Sequence, residues 1–421
     1  MSSLAHILYE LGNEVTGSDI EGYVFTEVGL KGKNIEMKVF NEENITGEHT
    51  YIIGNAFNSA NNEEVSKILK NKYKSYFYHD FLKEMSIDKK SIGVAGVHGK
   101  TSTTSLLSYL LEQTVGTSYL IGDGNGKGDS TSEYFVFEAC EYKNHFLNYK
   151  PYYGIITNID LDHPDFFKSE EQVIRSFTEY AKNVRHKVLI FGDDKKYKKI
   201  ILREDKKLLT YGFLDNNVFQ ARNIIQKEEG FIYDFCYKGS FVETIEMPLY
   251  GKHNILNSLV VTAILYLEKI NLSNISEIAK KYKGAKRRFQ VEQHKGYTWI
   301  NDYAHHPIEI TATIEATRQK YPNKKIVAIF QPHTYTRTLM FENEFKEALS
   351  NADVTYGCEI FGSAREDQGG ITISDLMKNI PNSNVLTIEN ISELKNHHDN
   401  ILLFMGAGDI EKYIVEFKKE I

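Results

Sequence analysis

A glycine-rich turn near residue 96 has the clearest chemical signature in this sequence. Residues 92–95 form an apolar, strand-like run, the turn over 96–101 has the sequence Gly-Val-His-Gly-Lys-Thr, and an apolar helical face follows over 102–112. A strand, a glycine turn and a helix N-terminus direct several backbone N–H groups at one anion, and the helix dipole adds a favourable potential. Lys100 can reach the β- and γ-phosphates of a nucleotide, and the Thr101 hydroxyl can hold Mg²⁺. The turn therefore predicts ATP binding; the alternative is a glycine-rich turn with a chance Lys-Thr pair.

Carboxylates follow the next two predicted strands. Glu138 lies at the end of an apolar run over 134–139, and a third strand over 153–158 leads into the cluster Asp160-Leu161-Asp162-His163-Pro164-Asp165. Ligands bind outside the carboxyl ends of the strands in parallel sheets, so we expect Glu138 to coordinate Mg²⁺ or, alternatively, to be solvated. The acidic cluster is interpreted as a second Mg²⁺ site, as a group that orients a substrate, or as the capped start of a helix.

Polar or basic side chains also lie at the ends of three later helical segments. His253, Asn254 and Asn257 occupy the first turn of a predicted amphipathic helix, where they can hydrogen-bond a planar base or cap the helix. Lys286-Arg287-Arg288 is the densest basic run, and it is either a phosphate clamp or a solvated face. Arg337, at the start of a predicted helix, can bind a carboxylate or phosphate bidentately or form a surface salt bridge.

Polar loops follow three predicted strands near the C-terminus. They are Asp302-Tyr303-Ala304-His305-His306-Pro307, Gln331-Pro332-His333 and Gly406-Ala407-Gly408-Asp409. The adjacent histidines point to zinc, but neither an HExxH motif nor a nearby third ligand accompanies them. We therefore predict no zinc site.

The elements that position these residues alternate between strand-like and helical patterns, which predicts an α/β fold with parallel sheets. Residues 4–11 have the spacing of one helix face, with Gly12 as its stop, and a short strand ends at Ser18-Asp19. A helix over 63–70, a strand over 73–78 and a connector over 83–90 are expected next. The C-terminal strands are predicted over 298–303, 326–330, 354–360 and 401–405.

The composition indicates a soluble, folded protein. Its 421 residues are about three times a typical domain of ~150, so we expect two or three domains. The 50 basic and 57 acidic residues give a net charge of −7, which argues against a large basic surface for nucleic acid. The three cysteines are widely spaced, so we predict no disulfide framework. The sequence contains no run of about 18 apolar residues, so we predict no membrane span. We therefore predict a cytoplasmic protein with neither a nucleic-acid nor a membrane partner.

Taken in order, the motifs resemble those of the Mur ligases of bacterial cell-wall synthesis. The resemblance covers essentially the whole chain. It rests on Gly-x-His-Gly-Lys-Thr, Thr-Asn-Ile-Asp-x-Asp-His, Gly-x-His-Asn-x-x-Asn, Arg-Arg-Phe, Asp-Tyr-x-His-His-Pro, Gln-Pro-His and Gly-Ala-Gly-Asp.

The resemblance implies three domains and an ATP-dependent ligase. Residues 1–89 would form a Rossmann-like UDP-sugar domain, 90–283 a central P-loop ATPase domain, and 284–421 a Rossmann-like domain for the amino acid. The histidine-containing loops after residues 302 and 331 point to the member that joins L-alanine to UDP-N-acetylmuramate through an acyl phosphate, with ATP and Mg²⁺. Phosphorylation is needed because a carboxylate is a poor acyl donor, and Mg²⁺ and lysine shield the two anions from each other.

The resemblance also assigns the site residues. Catalytic roles fall to Lys100, His163, His305 and Arg337, the last two nearest the alanine and the acyl phosphate. ATP binding falls to Gly96, His98, Gly99, Lys100, Thr101, Ser102, His253, Asn254, Asn257 and Arg288. Mg²⁺ falls to Thr101, Glu138 and His163, directly or through water, and substrate binding to Ser18, Asp19, Asn55, Tyr303 and His305.

The start of the chain departs from the family pattern. No strand and glycine-rich loop precede Met1, so we expect the first sheet to lack its central strand, through a misplaced start codon or a truncated chain. Three other functions stay open: a sister ligase that attaches a recycled tripeptide to the same sugar nucleotide, a ligase that adds glutamate to folate, and a non-catalytic nucleotide-binding protein.

Overall fold

The computed structural model describes residues 1–21, 28–87, 89–163, 166–200, 202, 207–362 and 369–421. Pro164 and Asp165 of the predicted acidic cluster lie outside these residues. The helices are α1 (Ser2–Glu10), α2 (Val28–Lys31), α3 (Glu63–Lys70), α4 (Tyr78–Ile87), α5 (Lys100–Glu112), α6 (Glu170–Asn183), α7 (Lys252–Leu267), α8 (Ile275–Ala279), α9 (Pro307–Lys320), α10 (Tyr335–Met340), α11 (Glu342–Leu349), α12 (Ile373–Met377) and α13 (Glu411–Glu420). Among the described helices, none is long and apolar enough to cross a membrane.

The strands are β1 (Thr16–Asp19), β2 (Glu36–Val39), β3 (Tyr51–Ile53), β4 (Ser75–Phe77), β5 (Lys90–Ala95), β6 (Ser118–Leu120), β7 (Gly126–Lys127), β8 (Tyr134–Glu138), β9 (Tyr153–Ile156), β10 (Lys187–Phe191), β11 (Leu208–Gly212), β12 (Phe219–Lys227), β13 (Gly230–Tyr237), β14 (Ser240–Met247), β15 (Gln290–His294), β16 (Tyr297–Asp302), β17 (Ile326–Phe330), β18 (Val354–Gly357), β19 (Ser383–Val385) and β20 (Ile401–Met405).

Two separate pairs of parallel strands form the N-terminal region. β1 pairs with β2 and β3 with β4, and the described residues join the pairs by no strand hydrogen bonds. The described strands of this region therefore form two separate two-stranded sheets. The predicted connector over 83–90 is wrong over most of its length, because α4 continues to Ile87 and buries Leu82 and Ser86.

A ten-stranded sheet forms the centre of the molecule, in the order β14-β13-β12-β11-β10-β9-β5-β8-β6-β7. Its strands from β12 to β6 run parallel. Since β9, β5 and β8 are neighbours, their carboxyl ends bring the glycine-rich turn, Glu138 and the 157–163 segment to one edge. The predicted α/β class with parallel sheets is confirmed.

Three antiparallel strands, β12 to β14, extend this sheet and were not predicted. Phe231, Tyr233 and Phe235 on β13 are buried in the core that α7 shares. The predicted amphipathic character of α7 is wrong, because every residue over 257–265 is buried. The helix lies between the extended sheet and α5, so no face of its central turns meets water.

A six-stranded sheet, in the order β15-β16-β20-β17-β18-β19, forms the C-terminal region. Only the β15–β16 pair is antiparallel. The four strands predicted there correspond to β16, β17, β18 and β20. Because β16, β20 and β17 are parallel neighbours, the loops after residues 302, 331 and 405 lie at one edge of this sheet.

Helix α1 packs directly on the central region. Leu4 and Ile7 join the apolar cluster that contains Phe137 of β8. The fit is close, because a Cβ atom at Gly126 would lie 2.0 Å from the carbonyl oxygen of Ser3. The N-terminal region is therefore continuous with the central core through this helix.

Candidate functional site

The glycine-rich turn has the backbone geometry that its sequence predicts. β5 ends at Ala95 and α5 begins at Lys100, with Gly99 as its N-cap at φ +80°. Gly96 has φ +132°, and a Cβ there would lie 2.0 Å from Thr157 Oγ1. Both positions therefore require glycine. The turn presents the first N–H groups of a helix at the carboxyl edge of the sheet, an arrangement suited to phosphate.

Lys100 lies beneath this turn. Its Nζ donates to the carbonyl oxygens of Gly96 at 2.5 Å and Val97 at 3.1 Å, and to Glu141 Oε1 at 3.1 Å. Burial alone would lower the pKa of Lys100, but the Glu141 carboxylate outweighs it and raises that pKa. The ammonium group is therefore charged, as binding to a phosphate requires.

Glu138 and Thr101, both predicted magnesium ligands, contact each other. Glu138 Oε1 accepts the N–H of Gly122 at 2.6 Å, and the Thr101 hydroxyl donates to the same carboxylate. Burial raises the pKa of Glu138, which Lys100 and the hydrogen bonds only partly offset. The carboxylate lies at the end of β8, beside the phosphate turn.

His163, the third predicted magnesium ligand, reaches the same region through a second carboxylate. Its Nε2 lies 3.4 Å from Glu141 Oε1, and its ring lies 4.7 Å from the ring of Tyr142. Its backbone has φ +55°, an uncommon conformation for a residue with a side chain. The structure thus brings His163 to the Lys100–Glu141 pair, and Glu138 is near enough for its charge to interact with that of Lys100.

The residues at this edge fit a magnesium ion that also binds phosphate. The described part of the chain holds no group of three or more His, Cys, Asp or Glu side chains arranged for a metal. Mg²⁺ commonly takes one or two carboxylates and completes its shell with phosphate and water oxygens. Glu141 Oε2 has no hydrogen-bond partner among the described residues and lies 3.0 Å from Lys100 Nζ, so its charge is matched by the lysine. The Glu138 carboxylate and the Thr101 hydroxyl are the oxygen ligands that Mg²⁺ prefers.

Arg337 is held by a carboxylate of the central region. Its Nη2 lies 3.0 Å from Asp162 Oδ1 and 3.3 Å from Oδ2, and its Nε lies 3.3 Å from Oδ1. Burial would raise the pKa of Asp162, but the guanidinium outweighs it and holds that pKa well below its usual value. The structure therefore brings the predicted catalytic arginine to the 157–163 segment, 175 positions away in the sequence.

A cavity of about 690 Å³ opens between the central and C-terminal regions. Its volume is that of a small-molecule site. Seven of the residues predicted to bind ATP line it: His98, Gly99, Ser102, His253, Asn254, Asn257 and Arg288.

The base-side residues are organised by the first turn of α7. Asn254 Nδ2 donates to Tyr250 O at 2.8 Å, and Asn257 Nδ2 donates to Asn254 Oδ1 at 3.2 Å. Desolvation by the cleft, aided by the charge of Arg288, lowers the pKa of His253 to about 4, although the residue is exposed by its accessible surface. At neutral pH this imidazole is therefore uncharged, so it can offer one donor and one acceptor to a planar base.

The C-terminal residues of the cleft meet around Glu309. His305 Nδ1 lies 3.2 Å from Glu309 Oε2, and Arg288 Nη1 lies 3.9 Å from Oε1. The Tyr303 ring lies 5.0 Å from the guanidinium carbons of both Arg287 and Arg288. The structure thus brings together Arg288, predicted to bind ATP, and Tyr303 and His305, predicted to bind the substrate.

The predicted sugar-nucleotide residues lie apart from this cavity. Ser18 and Asp19 end β1, and Asp19 Oδ1 accepts its neighbour's N–H from Ile20 at 2.8 Å. Asn55 Oδ1 lies 3.0 Å from His79 Nδ1. They occupy strand ends of the N-terminal region, and their role in substrate binding stays a prediction.

Sequence reasoning missed Glu141 and Glu309, which pair with Lys100 and His98. Glu141 lies three residues beyond Glu138, and that second carboxylate was a usable signal. Glu309 had no such signal, because its partner His98 is 211 positions away. Asp194, which also follows a strand, has a structural role: its Oδ1 accepts the N–H of Lys196 at 2.9 Å and so caps a short helix.

Three family models match the chain in succession. They are the Mur ligase family, catalytic domain, over residues 1–90, the Mur ligase middle domain over 94–265, and the Mur ligase, glutamate ligase domain, over 287–408. The chain belongs to the Mur ligase family. Membership makes it an ATP-dependent ligase of peptidoglycan precursors and leaves the amino acid undecided. The matched ranges set no residue-level boundaries, so those at 89/90 and 283/284 stay predictions.

Solved structures of Mur ligases share this fold. The UDP-N-acetylmuramate-alanine ligase MurC of Thermotoga maritima is 24% identical, with a TM-score of 0.82 over 100% of this chain and 96% of that one. A murein peptide ligase of Psychrobacter arcticus is 20% identical, with a TM-score of 0.71 over 100% and 96%. MurF ligase of Thermotoga maritima, in complex with ADP, is 17% identical, with a TM-score of 0.69 over 91% and 97%. Identities this low support the three-domain fold alone.

The neutral state of His253 predicts how stability depends on pH. Because the pKa of His253 falls from its ordinary 6.5 to about 4, the unfolded chain binds more protons than the folded one between these values. Its contribution is complete above pH 6.5 and is lost on acidification towards pH 4, and solvent screening reduces it because His253 is exposed. His253→Gln should therefore lose less stability than the wild type between pH 6.5 and pH 5, measured by urea unfolding.

His306→Gln should show the same flattening, because burial also lowers the pKa of His306 to about 4. Stability curves that run parallel for the wild type and both variants would contradict the neutral assignment.

Proposed function

We propose that this protein is a cytoplasmic ligase that joins L-alanine to the carboxylate of UDP-N-acetylmuramate at the expense of ATP. The observation that carries the proposal is the single cleft shared by the phosphate turn, the first turn of α7 and Arg288 of the C-terminal region. A nucleotide held there would present its terminal phosphate near Lys100, with the C-terminal residues on the opposite side.

The reaction needs two displacements. In the first, a carboxylate oxygen of the sugar attacks the γ-phosphorus of ATP, an O–P bond forms, and ADP leaves with the electrons of the broken P–O bond. In the second, the amine nitrogen of alanine attacks the acyl carbon, a C–N bond forms, and inorganic phosphate leaves with the electrons of the broken C–O bond. The attacking nitrogen loses a proton, which the departing phosphate takes up, and the amide is left neutral.

The residues of the central region would neutralise the negative charge of the phosphates. Lys100 is charged, buried and fixed by two turn carbonyls, so its ammonium is preorganised toward transferred phosphate. Mg²⁺, when bound, would neutralise phosphate charge. The residues that would hold it are Thr101 and Glu138, with His163 directly or through water.

The C-terminal residues would handle the acyl phosphate and the amino acid. Arg337 already binds a carboxylate through two nitrogens, which is the geometry that recognises carboxylates and phosphates bidentately. His305 lies beside Tyr303 and Glu309, with its Nδ1 3.1 Å from the Tyr303 carbonyl oxygen. We assign both to the side of the cleft where the amine attacks.

L-Alanine as the amino acid is supported by the His305-His306-Pro307 and Gln331-Pro332-His333 motifs. The alternative reaction is the addition of a recycled tripeptide to the same sugar nucleotide. A murein peptide ligase is among the similar structures, so this alternative needs a direct test. Both reactions would use the same phosphate turn and differ only in the amine.

The deciding experiment measures phosphate release by the full-length protein with MgATP, UDP-N-acetylmuramate and one amine. We expect turnover with L-alanine and at least roughly 10-fold lower kcat/KM with the tripeptide L-alanyl-γ-D-glutamyl-diaminopimelate, since an added group must fit the same pocket. Preference for the tripeptide would replace the proposed substrate, and no release with either amine would contradict the ligase proposal.

Lys100→Ala should lower kcat by roughly 10²–10³, because one preorganised charge on a transferred phosphoryl group contributes about that much. The variant also leaves Glu141 buried without its cation, which destabilises the fold. Lys100→Ala/Glu141→Gln removes that unpaired charge, so it should fold better and stay as inactive. Lys182→Ala, at an exposed surface pair, is the matched control. Near-normal kcat in a folded Lys100 variant would overturn the assignment of the turn.

His163→Ala should raise the Mg²⁺ concentration needed for half-maximal activity by roughly 10-fold, because losing a group around a metal usually weakens affinity on that scale. The measurement is a magnesium titration of phosphate release at saturating ATP. His294→Ala, on the exposed end of β15, controls for loss of a histidine elsewhere. Superimposable titrations for His163→Ala and the wild type would remove His163 from the metal site.

A further inference from the structure

One buried carboxylate joins the phosphate turn to the C-terminal side of the cleft. Glu309 is the third residue of α9, and its side chain is 12% exposed. Its Oε1 lies 3.1 Å from His98 Nδ1, and its Oε2 lies 3.2 Å from His305 Nδ1. Oε2 also accepts the backbone N–H of His305 at 3.1 Å. The two imidazoles thus share a single carboxylate, one on each oxygen.

The charge state of this carboxylate decides which atoms carry hydrogen. Burial would raise the pKa of Glu309, but His305 and His98 outweigh burial and hold that pKa well below its ordinary value. An ionised carboxylate can only accept hydrogen bonds. The Nδ1 atoms that face it therefore carry their hydrogens.

A second acceptor supports this assignment for His305. Its Nδ1 also lies 3.1 Å from the carbonyl oxygen of Tyr303, and a carbonyl likewise only accepts. For His98, the backbone is fixed: its N–H donates to Asn158 Oδ1 at 2.9 Å, and its carbonyl oxygen accepts from Thr157 Oγ1 at 2.6 Å. His98 Nε2 is buried and has no hydrogen-bond partner among the described residues.

We propose that Glu309 is a positioning residue that holds the Nδ1–H of both His98 and His305, so that each neutral ring is the Nδ1–H tautomer with Nε2 as its acceptor. Its kinetic consequence rests on the proposed ligase reaction. Glu309 would in this way fix the tautomer of His98 on the phosphate turn and of His305 on the amino-acid side.

The two oxygens of a carboxylate are what the arrangement requires. A glutamine at position 309 would offer one acceptor oxygen and one NH₂ donor. The donor would face an Nδ1–H, so one imidazole would have to change tautomer or turn away. An aspartate would keep two acceptors on a shorter side chain.

The test combines NMR with kinetics on the full chain. With ¹⁵N-labelled histidine, long-range ¹H–¹⁵N spectra distinguish Nδ1–H from Nε2–H rings, and His98→Asn and His305→Asn assign the two signals. In Glu309→Gln we expect at least one of these rings to leave the Nδ1–H form. We also expect kcat for phosphate release to fall roughly 10- to 100-fold, with KM for ATP changed by less than about threefold, as for loss of an orienting partner.

Two further variants separate positioning from folding. Glu309→Asp should retain both tautomers and recover part of kcat, whereas Glu315→Gln, exposed on the same helix, should match the wild type. A folded Glu309→Gln with both rings still in the Nδ1–H form would overturn the proposal. If the wild type releases no phosphate, the ligase proposal fails, and the spectra still decide the role of Glu309.

Discussion

A carboxylate can be buried only with a cation and hydrogen-bond donors beside it, because the desolvation cost otherwise exceeds what packing returns. The cleft of this protein is built on that constraint. Three carboxylates with little exposure are each matched to a distant hydrogen-bond donor: Glu141 to Lys100, Asp162 to Arg337, and Glu309 to His98, with Arg288 3.9 Å from Glu309 as its cation. Two of these pairs cross from the central to the C-terminal region, so they fix how the two sides of the cleft face each other.

The same pairs explain how a strongly anionic substrate can be accepted. Glu141 keeps Lys100 charged although the ammonium is buried, and a phosphate offers the same charge complementarity as the carboxylate. Arg337 is likewise engaged with the carboxylate of Asp162, chemically the group that an amino acid carries. In the proposed reaction, Lys100 and Arg337 would each exchange a carboxylate of the protein for an anionic group of a substrate. The carboxylates of Glu141 and Asp162 would then compete with the substrates for these cations.

The sequence predicts a structural feature best when the residues that determine the feature are close together in the chain. The turn from Gly96 to Lys100 was predictable because its strand, positive-φ glycines and helix start lie within a few residues of one another. The antiparallel strands β12–β14 were not, because their pattern gives no sign that they extend a parallel sheet or cover α7. The α7 sequence was interpreted as amphipathic because its own residues do not show that other elements cover both of its sides. Glu309 was missed because its contact with His98 exists only once two regions meet.

The two interfaces of the central region differ in kind, and this difference bears on function. Helix α1 is attached through Leu4 and Ile7 inside an apolar core, where separation would expose both side chains to water. The C-terminal region is attached at the cleft by polar contacts, such as Gln319 Oε1 accepting the Gly251 N–H and Lys320 Nζ donating to the Tyr250 hydroxyl. Polar groups lose little on exchanging one partner for water or for a charged ligand. The face that must admit ATP and an amino acid is therefore the one whose contacts can be exchanged, while the apolar face keeps the N-terminal helix in place.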